Sequence, residues 1–376
     1  MAQKTKIGIV GGGQLAMMMT KAAQNLGITI TVIDPTPNCP AALVGASQIL
    51  ADYNDATAIK ELSELTDVIT IDFEHVNCAA LQELVDDGKS VCPEPGTILM
   101  IQDKLRQCEF LDLHDLPVAD FKELDSLEAA EKALDLFDGK MLLKARHQSY
   151  DGKGNAVVTA KNLETAWNSF SNVKLYAEAF IPFVKEIAVI LARDLKGNTV
   201  LYPTVETIHI NNICHKVFLP GDLTDAVREK AENIALATAE HLGGAGVFAI
   251  EMFLTKDNGI LINEIAPRVH NSGHPTIEGS VTSQFEQHLR AVSGMQLGSS
   301  DMKHNAAVMI NLLGIRNGTA DAKGVENAMA IDGVTVHMYG KHEVKIGRKM
   351  GHLTAVADTL EEASSRAEQA FELIEI

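Results

Sequence analysis

Cysteine is scarce in this sequence. Cys39, Cys78, Cys92, Cys108 and Cys214 are the only five, an odd number with no C-x-x-C among them. That argues against a disulfide framework and a thiolate zinc centre and fits a reducing compartment. No apolar stretch reaches the ~20 residues needed to span a bilayer. The short apolar run after Lys6 is broken by glycines, so no signal peptide is expected either. Basic charge is in deficit. Thirty-two Lys and Arg against 50 Asp and Glu leave a formal net charge of −18. So acidic a balance argues against nucleic acid or an anionic membrane as partner, while allowing a local basic pocket for a phosphorylated small molecule. There is no repeat, no low-complexity segment, no Ser-His-Asp or Cys-His arrangement and no Walker A loop. These absences predict a cytoplasmic protein that handles small molecules.

What is present is an ordinary globular composition, 46% hydrophobic and 22% charged over 376 residues. At roughly 100–200 residues per domain, two or three domains are expected. Short β-branched runs at 6–10, 28–33 and 68–72 alternate with amphipathic segments at 14–26 and 55–65. Such alternation predicts βαβ units and a parallel sheet. "CPEPG" (92–96) punctuates the end of that region, and a helix is expected over 97–113. The middle reads as α+β. Strands at 140–144 and 155–159 flank a polar loop, a helix follows at 162–170, and strands are expected at 173–180, 185–193 and 199–207. A helix at 223–242, a hairpin over 246–267 and a helix at 282–293 complete it. The predicted layout is a Rossmann-like domain over 1–100, a central domain over 101–293 and a small C-terminal domain over 294–376.

Gly11-Gly12-Gly13-Gln14-Leu15-Ala16 fits the G-x-G-x-x-G/A pattern of a dinucleotide site, and Asp34 ends the next strand where a ribose-binding acid would sit. Read alone, that stretch predicts a nicotinamide dehydrogenase. The hairpin argues otherwise. A two- or four-residue loop centred on Asp257-Asn258 pairs residues whose numbers sum to 515, and Glu251 and Glu264 do. Like charges opposed on a sheet destabilise it unless a cation lies between them. Oxygen ligands without a nearby cysteine favour magnesium, held by one or two carboxylates plus substrate phosphates. A solvent-facing strand pair is the plainer alternative, but Glu251 lies in the apolar run "VFAIEMFL". An odd-length loop would separate the two glutamates.

"INEIAPRVHNSGH" (262–274) sets Asn263 beside Glu264 and then gathers Arg268, His270, Asn271, Ser272 and His274. Arginine offers a fork of donors to a planar anion. The i, i+4 spacing of His270 and His274 could hold zinc on a helix, but Gly273 and Pro275 oppose a helix there. "SYDGKG" (149–154) reads as a glycine flap whose backbone N–H groups can approach phosphates. "YGKHEVKIGRKMGH" (339–352) is basic within an acidic protein, as a solvated face or a phosphate site would be.

Together these stretches resemble the ATP-grasp ligases. Within them they resemble the 5-(carboxyamino)imidazole ribonucleotide synthetases of purine biosynthesis, almost throughout and in order: "GIVGGGQLAMM", "DPTPNCPA", "ITIDFEHV", "QDK", "YDGKG", "KEIAVI", "INEIAPRVHNSGH", "QFEQHLRAV" and "GRKMGH". The resemblance implies an ATP-grasp architecture and a reaction in which ATP phosphorylates bicarbonate to carboxyphosphate, which carboxylates the amine of aminoimidazole ribonucleotide. ATP, magnesium and a homodimer are implied with it. By the same carry-over, Lys104 and Lys144 contact the nucleotide, and the flap Gln148, Ser149, Tyr150, Asp151, Gly152, Lys153 and Gly154 covers its phosphates. Glu178, Ala179, Phe180 and Ile181 line the adenine, Glu186 holds the ribose hydroxyls and His209 borders them. Glu251 and Glu264 hold magnesium beside Asn263. Arg268 grips bicarbonate and carboxyphosphate, and Tyr150, Asp151, His270 and Asn271 shape the imidazole pocket. Lys341, Arg348 and Lys349, with the loop at Gly13, Gln14 and Leu15, bind the ribonucleotide phosphate, and Glu74 its ribose. The chain departs from the pattern at His147-Gln148-Ser149, where many members carry a glycine pair. A sibling such as formate-dependent glycinamide ribonucleotide transformylase, or a biotin carboxylase, would share the hairpin carboxylates but need a different basic C-terminal motif. A catalytically dead binding protein of the same fold is the other alternative; it would have no need to keep a like-charged pair.

Overall fold

The computed structural model describes residues 5–147, 154–170 and 173–376. Its first layer is a five-stranded parallel sheet in the order Ser47–Ile49, Thr29–Ile33, Lys6–Val10, Val68–Ile71, Ser90–Val91. Every residue of Lys6–Val10 after Lys6 and all of Val68–Ile71 are buried, as expected of parallel strands covered on both faces. The helix Gln14–Leu26 follows the first strand and ends at Gly27, whose φ of 67° is the left-handed C-terminal stop that glycine adopts without strain.

The expected single helix over 97–113 is two, Pro95–Gln102 and Lys104–Leu113. Asp103 parts them. Its backbone is extended (φ −102°, ψ 105°) and its carboxylate accepts from the N–H groups of Leu105 and Arg106, so it caps the second helix.

Beyond it, besides a two-stranded ribbon of Gly318–Thr319 with Glu343–Val344, stand two larger antiparallel sheets. The smaller has the order Phe121–Leu124, Leu175–Ala179, Lys140–Ala145, Asn155–Thr159. The larger has nine strands. Eight run in the order Ile260–Ala266, Gly246–Thr255, Phe183–Arg193, Val205–Ile210, Ile213–Leu219, Ala306–Leu313, Lys349–Ala357, Val334–Met338, and Thr199–Leu201 pairs with Phe183–Arg193. The C-terminal strands therefore extend the central sheet, joined where Lys216 faces Ile310. The strand expected over 199–207 is broken after Leu201 and resumes at Val205, because Pro203 between them has no N–H for the ladder. The four-stranded and nine-stranded sheets, with the C-terminal end of the parallel sheet, contribute residues to a large cleft.

Candidate active site

The two hairpin glutamates face each other, but not by the expected route. Thr255 N donates to Gly259 O at 2.9 Å, and Leu254 pairs with Ile260, so the loop is odd. Alone that would set the glutamates out of register. A β-bulge between Met252 and Glu251 restores it: Met252 faces Ile262, Glu251 faces Glu264, and Asn263 is the extra residue. The bulge also lets Asn263 and Glu264, though adjacent in sequence, both line the cleft.

The cleft is about 740 Å³. Burial first, and then the charge of Glu264, push the Glu251 carboxyl up to about 7. Lys104 Nζ sits 2.6 Å from Glu264 Oε1, and His270 Nδ1 is 3.6 Å from Glu251 Oε1. Among the described residues no three His, Cys, Asp or Glu side chains are grouped to hold a metal. Two carboxylates with an amide beside them suit a cation that completes its shell with water and substrate phosphates, as magnesium does.

Arg268 is held on the same wall by a buried acid. Its Nε and Nη2 lie 2.7 and 2.5 Å from one oxygen of Glu74, and Nη1 donates to Val269 O at 3.1 Å. Burial would raise the Glu74 carboxyl; the Arg268 and Lys104 cations outweigh it and bring it down to about 2. The native state therefore favours the ionised form. This pair contributes its full stability above about pH 4.5 and loses it as pH falls toward 2, roughly 2–3 kcal/mol in all. Glu74→Gln is expected to flatten that acid limb in urea titrations between pH 5 and 3, while wild type weakens across the same window; parallel limbs would contradict the pairing.

The loop after Arg268 is built around Gln284. Its side chain accepts from His270 N at 2.9 Å and donates to His270 O at 2.6 Å. A Cβ on Gly273 would lie 2.3 Å from Gln284 Oε1, so only glycine fits there. His270 Nδ1 meets Ser272 Oγ at 2.8 Å. Burial, then Arg268, keep its imidazole well below the usual range, hence neutral. Residues 271–273 form one short 3-10 turn, so His270 and His274 do not share a helical face.

On the opposite wall Lys144 Nζ is 2.6 Å from Glu178 Oε2, while Tyr176 donates to Glu178 Oε1 at 2.8 Å. Glu186 Oε2 lies 3.1 Å from His209 Nδ1. Burial would lower the His209 pKa, but the Glu186 carboxylate beside it outweighs burial and raises it. Ala179, Phe180 and Ile181 line the cleft beside an apolar slot of Val118, Leu142, Phe253 and Ile262. Phe253 and Ile262 did not come from motif reading, yet each is two residues from a hairpin glutamate. Period-2 alternation from Glu251 would have found Phe253, but not Ile262, which the bulge at Asn263 sets opposite Met252 and out of phase with Glu264.

The glycine turn is committed differently from a dinucleotide site. Gly12 N donates to Asp34 Oδ2 at 3.0 Å, and Asp34 also accepts from Thr36 N. Gly13 N donates to Asp72 Oδ2 at 2.6 Å and Ala16 N to Asp72 Oδ1 at 3.2 Å. Asp34 is thus an internal brace, and Gly13 has its N–H occupied; Gln14 and Leu15 line the cleft. Burial first of all pushes the Asp72 carboxyl up to about 6. Asp72 was not anticipated, since a lone acid in "TIDFE" carries no spacing signal. Of the basic loop, Lys349 lines the cleft, while Lys341 and Arg348 do not. Lys341 Nζ donates to Lys349 O at 2.7 Å, and the exposed Arg348 donates to Glu343 O. Gln148, Ser149, Tyr150, Asp151, Gly152 and Lys153 lie outside the described residues. His147 precedes them, its Nδ1 3.1 Å from Gln102 O, and Gly154 O accepts from Ala145 N where the strands resume.

Residues 4–102 match the ribonucleotide synthetase preATP-grasp domain, 109–285 the ATP-grasp domain, and 307–366 the phosphoribosylaminoimidazole carboxylase C-terminal domain. The phosphoribosylaminoimidazole carboxylase of Schizosaccharomyces pombe is 39% identical over 97% of this chain, which spans only about two thirds (67%) of that protein. The N5-carboxyaminoimidazole ribonucleotide synthase of Synechococcus elongatus is 38% identical, over 97% of this chain and 92% of that one. Among solved structures, the N5-carboxyaminoimidazole ribonucleotide synthetase of Thermotoga maritima superposes with a TM-score of 0.89 at 41% identity, covering 99% of each chain. The Aspergillus clavatus N5-carboxyaminoimidazole synthase, in complex with ADP and aminoimidazole ribonucleotide, gives 0.91 at 33% identity, also over 99% of each.

Proposed function

This chain belongs to the N5-carboxyaminoimidazole ribonucleotide synthase family of ATP-grasp ligases, and from that premise we propose that it carboxylates 5-aminoimidazole ribonucleotide with bicarbonate at the expense of ATP. The observation that carries the reading is the opposed pair Glu251 and Glu264, lining the same cleft as Arg268 and the apolar slot. Lys104 offsets only Glu264; Glu251 and Glu264, with Asn263 beside them, would hold a divalent ion, which would supply the remaining neutralising charge next to the nucleotide phosphates.

In this proposal the adenine enters the slot between Phe180 and Phe253, with Glu178 to Ile181 along its edge. Glu186 and His209 meet the ribose. Lys104 and Lys144 leave their carboxylate partners, in part, for the phosphates. Magnesium, when bound at Glu251 and Glu264 with Asn263 alongside, neutralises charge on the transferring phosphoryl group. Arg268 orients bicarbonate so that its oxygen attacks the γ-phosphorus and ADP leaves. Carboxyphosphate then gives its carbon to the substrate amine, the bond to phosphate breaks and the amine sheds a proton. Neutral His270 and Asn271, with Tyr150 and Asp151 of the flap, bound that pocket. Catalysis is chiefly positioning and charge neutralisation.

The ribonucleotide phosphate is placed between Gln14 and Leu15 and the basic residues Lys341, Arg348 and Lys349, with Glu74 toward its ribose. Burial and then Arg348 bring the Lys341 ammonium down to about 8. A protonated Lys341 is what a phosphate dianion binds, so the KM for ribonucleotide is expected to rise as pH passes about 8, by at most about tenfold per unit. Lys341→Met should abolish that rise; a flat wild-type profile to pH 9.5 would remove Lys341 from the site.

Domain boundaries at 100/101 and 293/294, a cytoplasmic location and a homodimer belong to the same proposal. Their support is the family resemblance and, for location, five buried free cysteines and no helix among the described residues long and apolar enough to cross a membrane. The test of function is ADP release from ATP, magnesium, bicarbonate and aminoimidazole ribonucleotide, with each omitted in turn. Release that needs both bicarbonate and ribonucleotide supports the proposal. Release with glycinamide ribonucleotide and formate instead would overturn it.

A further inference from the structure

The strand Ala306–Leu313 reads "AAVMINLL", and one residue in it is out of character. Asn311 is wholly buried in an otherwise apolar run. Its amide is fully used. Nδ2 donates to Cys214 O at 2.8 Å and to Asn271 Oδ1 at 2.7 Å, and Oδ1 accepts from Asn271 Nδ2 at 3.2 Å. Two amides facing each other could in principle both be turned over. Here a third group decides. The Cys214 carbonyl only accepts, so the nitrogen of Asn311 must face it. With Asn311 fixed, Asn271 must present its oxygen to Asn311 Nδ2 and one N–H to Asn311 Oδ1. The reciprocal pair uses the oxygen and one N–H of Asn271. What remains for the cleft, which Asn271 lines, is one N–H, its only free donor, beside a second lone pair on its oxygen.

We propose that Asn311, on a strand that does not line the cleft, is a positioning residue. It fixes the flip of Asn271, so that one N–H is held as a donor toward the aminoimidazole. This rests on the ligase reading above. An aminoimidazole ribonucleotide has one good acceptor in its ring, the unsubstituted nitrogen, and a fixed donor there orients the ring with its amine toward the carboxylating group. A buried polar pair whose flip is set by a backbone carbonyl costs no rearrangement when substrate arrives. Replacing either partner leaves buried polar groups unpaired.

The test is a double-mutant cycle on the purified full-length protein, with Asn271→Ala, Asn311→Ala and the pair, measuring kcat/KM for aminoimidazole ribonucleotide and KM for ATP. Each single variant should lose on the order of tenfold or more in kcat/KM for the ribonucleotide. The pair should be no worse than Asn271→Ala alone, because Asn311 acts only through Asn271. KM for ATP should not move. Losses that multiply, or a loss shared by the ATP term, would mean a structural role and overturn the inference. Asn311→Asp supplies a second reading if the alanine variant does not fold. It keeps the shape but offers only acceptors, so it sets an oxygen against both the Cys214 carbonyl and Asn271 Oδ1, breaks the reciprocal pair and leaves the flip of Asn271 unfixed. The ribonucleotide term should then fall; wild-type kinetics in Asn311→Asp would overturn the inference. The wild-type control separates the two levels. No turnover with ribonucleotide refutes the ligase reading and the inference with it, whereas turnover with additive variants refutes the inference alone.

Discussion

Glu251→Gln is expected to make the metal-free protein more stable and to abolish its activity. The Glu251 side chain is only 21% exposed, its carboxyl is pushed up to about 7 by burial and then by Glu264, and Glu264 is its direct cross-strand partner. A carboxyl raised in the native state favours the protonated form there. Its ionisation therefore costs stability progressively as pH rises from about 4.5 to 7, by about 1–3 kcal/mol when complete. The glutamine amide has no such cost. In chelator-treated protein at pH 8 the variant should melt a few degrees above wild type, and the gap should close below about pH 4.5. His209 and Lys349 also face this carboxyl and reduce the cost without cancelling it. The same variant loses one of the two carboxylates that would hold magnesium, and ADP release should fall by about a hundredfold or more. A variant that is less stable than wild type at pH 8 would mean that the ionised carboxylate supports the hairpin, and the case for a cation between the glutamates would lose its premise.

Arg268→Lys carries the second large effect. By donor inventory, Glu74 takes Nε and one N–H of Nη2, and Val269 O takes one of Nη1. One N–H on each terminal nitrogen remains, a pair suited to a planar oxyanion. Lysine keeps a charge beside Glu74 but cannot hold Glu74 and also offer two coplanar donors. The variant should fold, bind ATP as wild type does, and lose about 10²–10³-fold in kcat with bicarbonate. Arg268→Ala is a poor substitute, since it strands the buried Glu74 and should destabilise the fold by about 3–5 kcal/mol. If Arg268→Lys released ADP at the wild-type rate, Arg268 would be a brace for Glu74 and nothing more.

The hairpin shows how far the sequence reading reached. Counting residues to a sum of 515 finds the facing of Glu251 and Glu264, but the loop is odd and the bulge at Asn263 offsets it. A bulge is set by what packs on both faces of the sheet, and no local pattern announces it. The break at Asp103 was legible in principle, since "QDK" carries a helix-capping acid, but the apolar residues on either side read as one helix. The glycine turn was read from its spacing alone. Which carboxylate satisfies its N–H groups depends on the neighbouring strand, so the commitment of Gly13 to Asp72 could not be seen. Asn311 escaped for the same reason: its partners, Asn271 and Cys214, are distant in sequence.

The most direct test of the account follows oxygen. Bicarbonate labelled with 18O, incubated with the protein, ATP, magnesium and aminoimidazole ribonucleotide, should pass one labelled oxygen to each phosphate released, because carboxyphosphate forms by attack of a bicarbonate oxygen on phosphorus. Phosphate free of label, formed while the ribonucleotide is carboxylated, would show that bicarbonate is never phosphorylated and would contradict the mechanism at its centre.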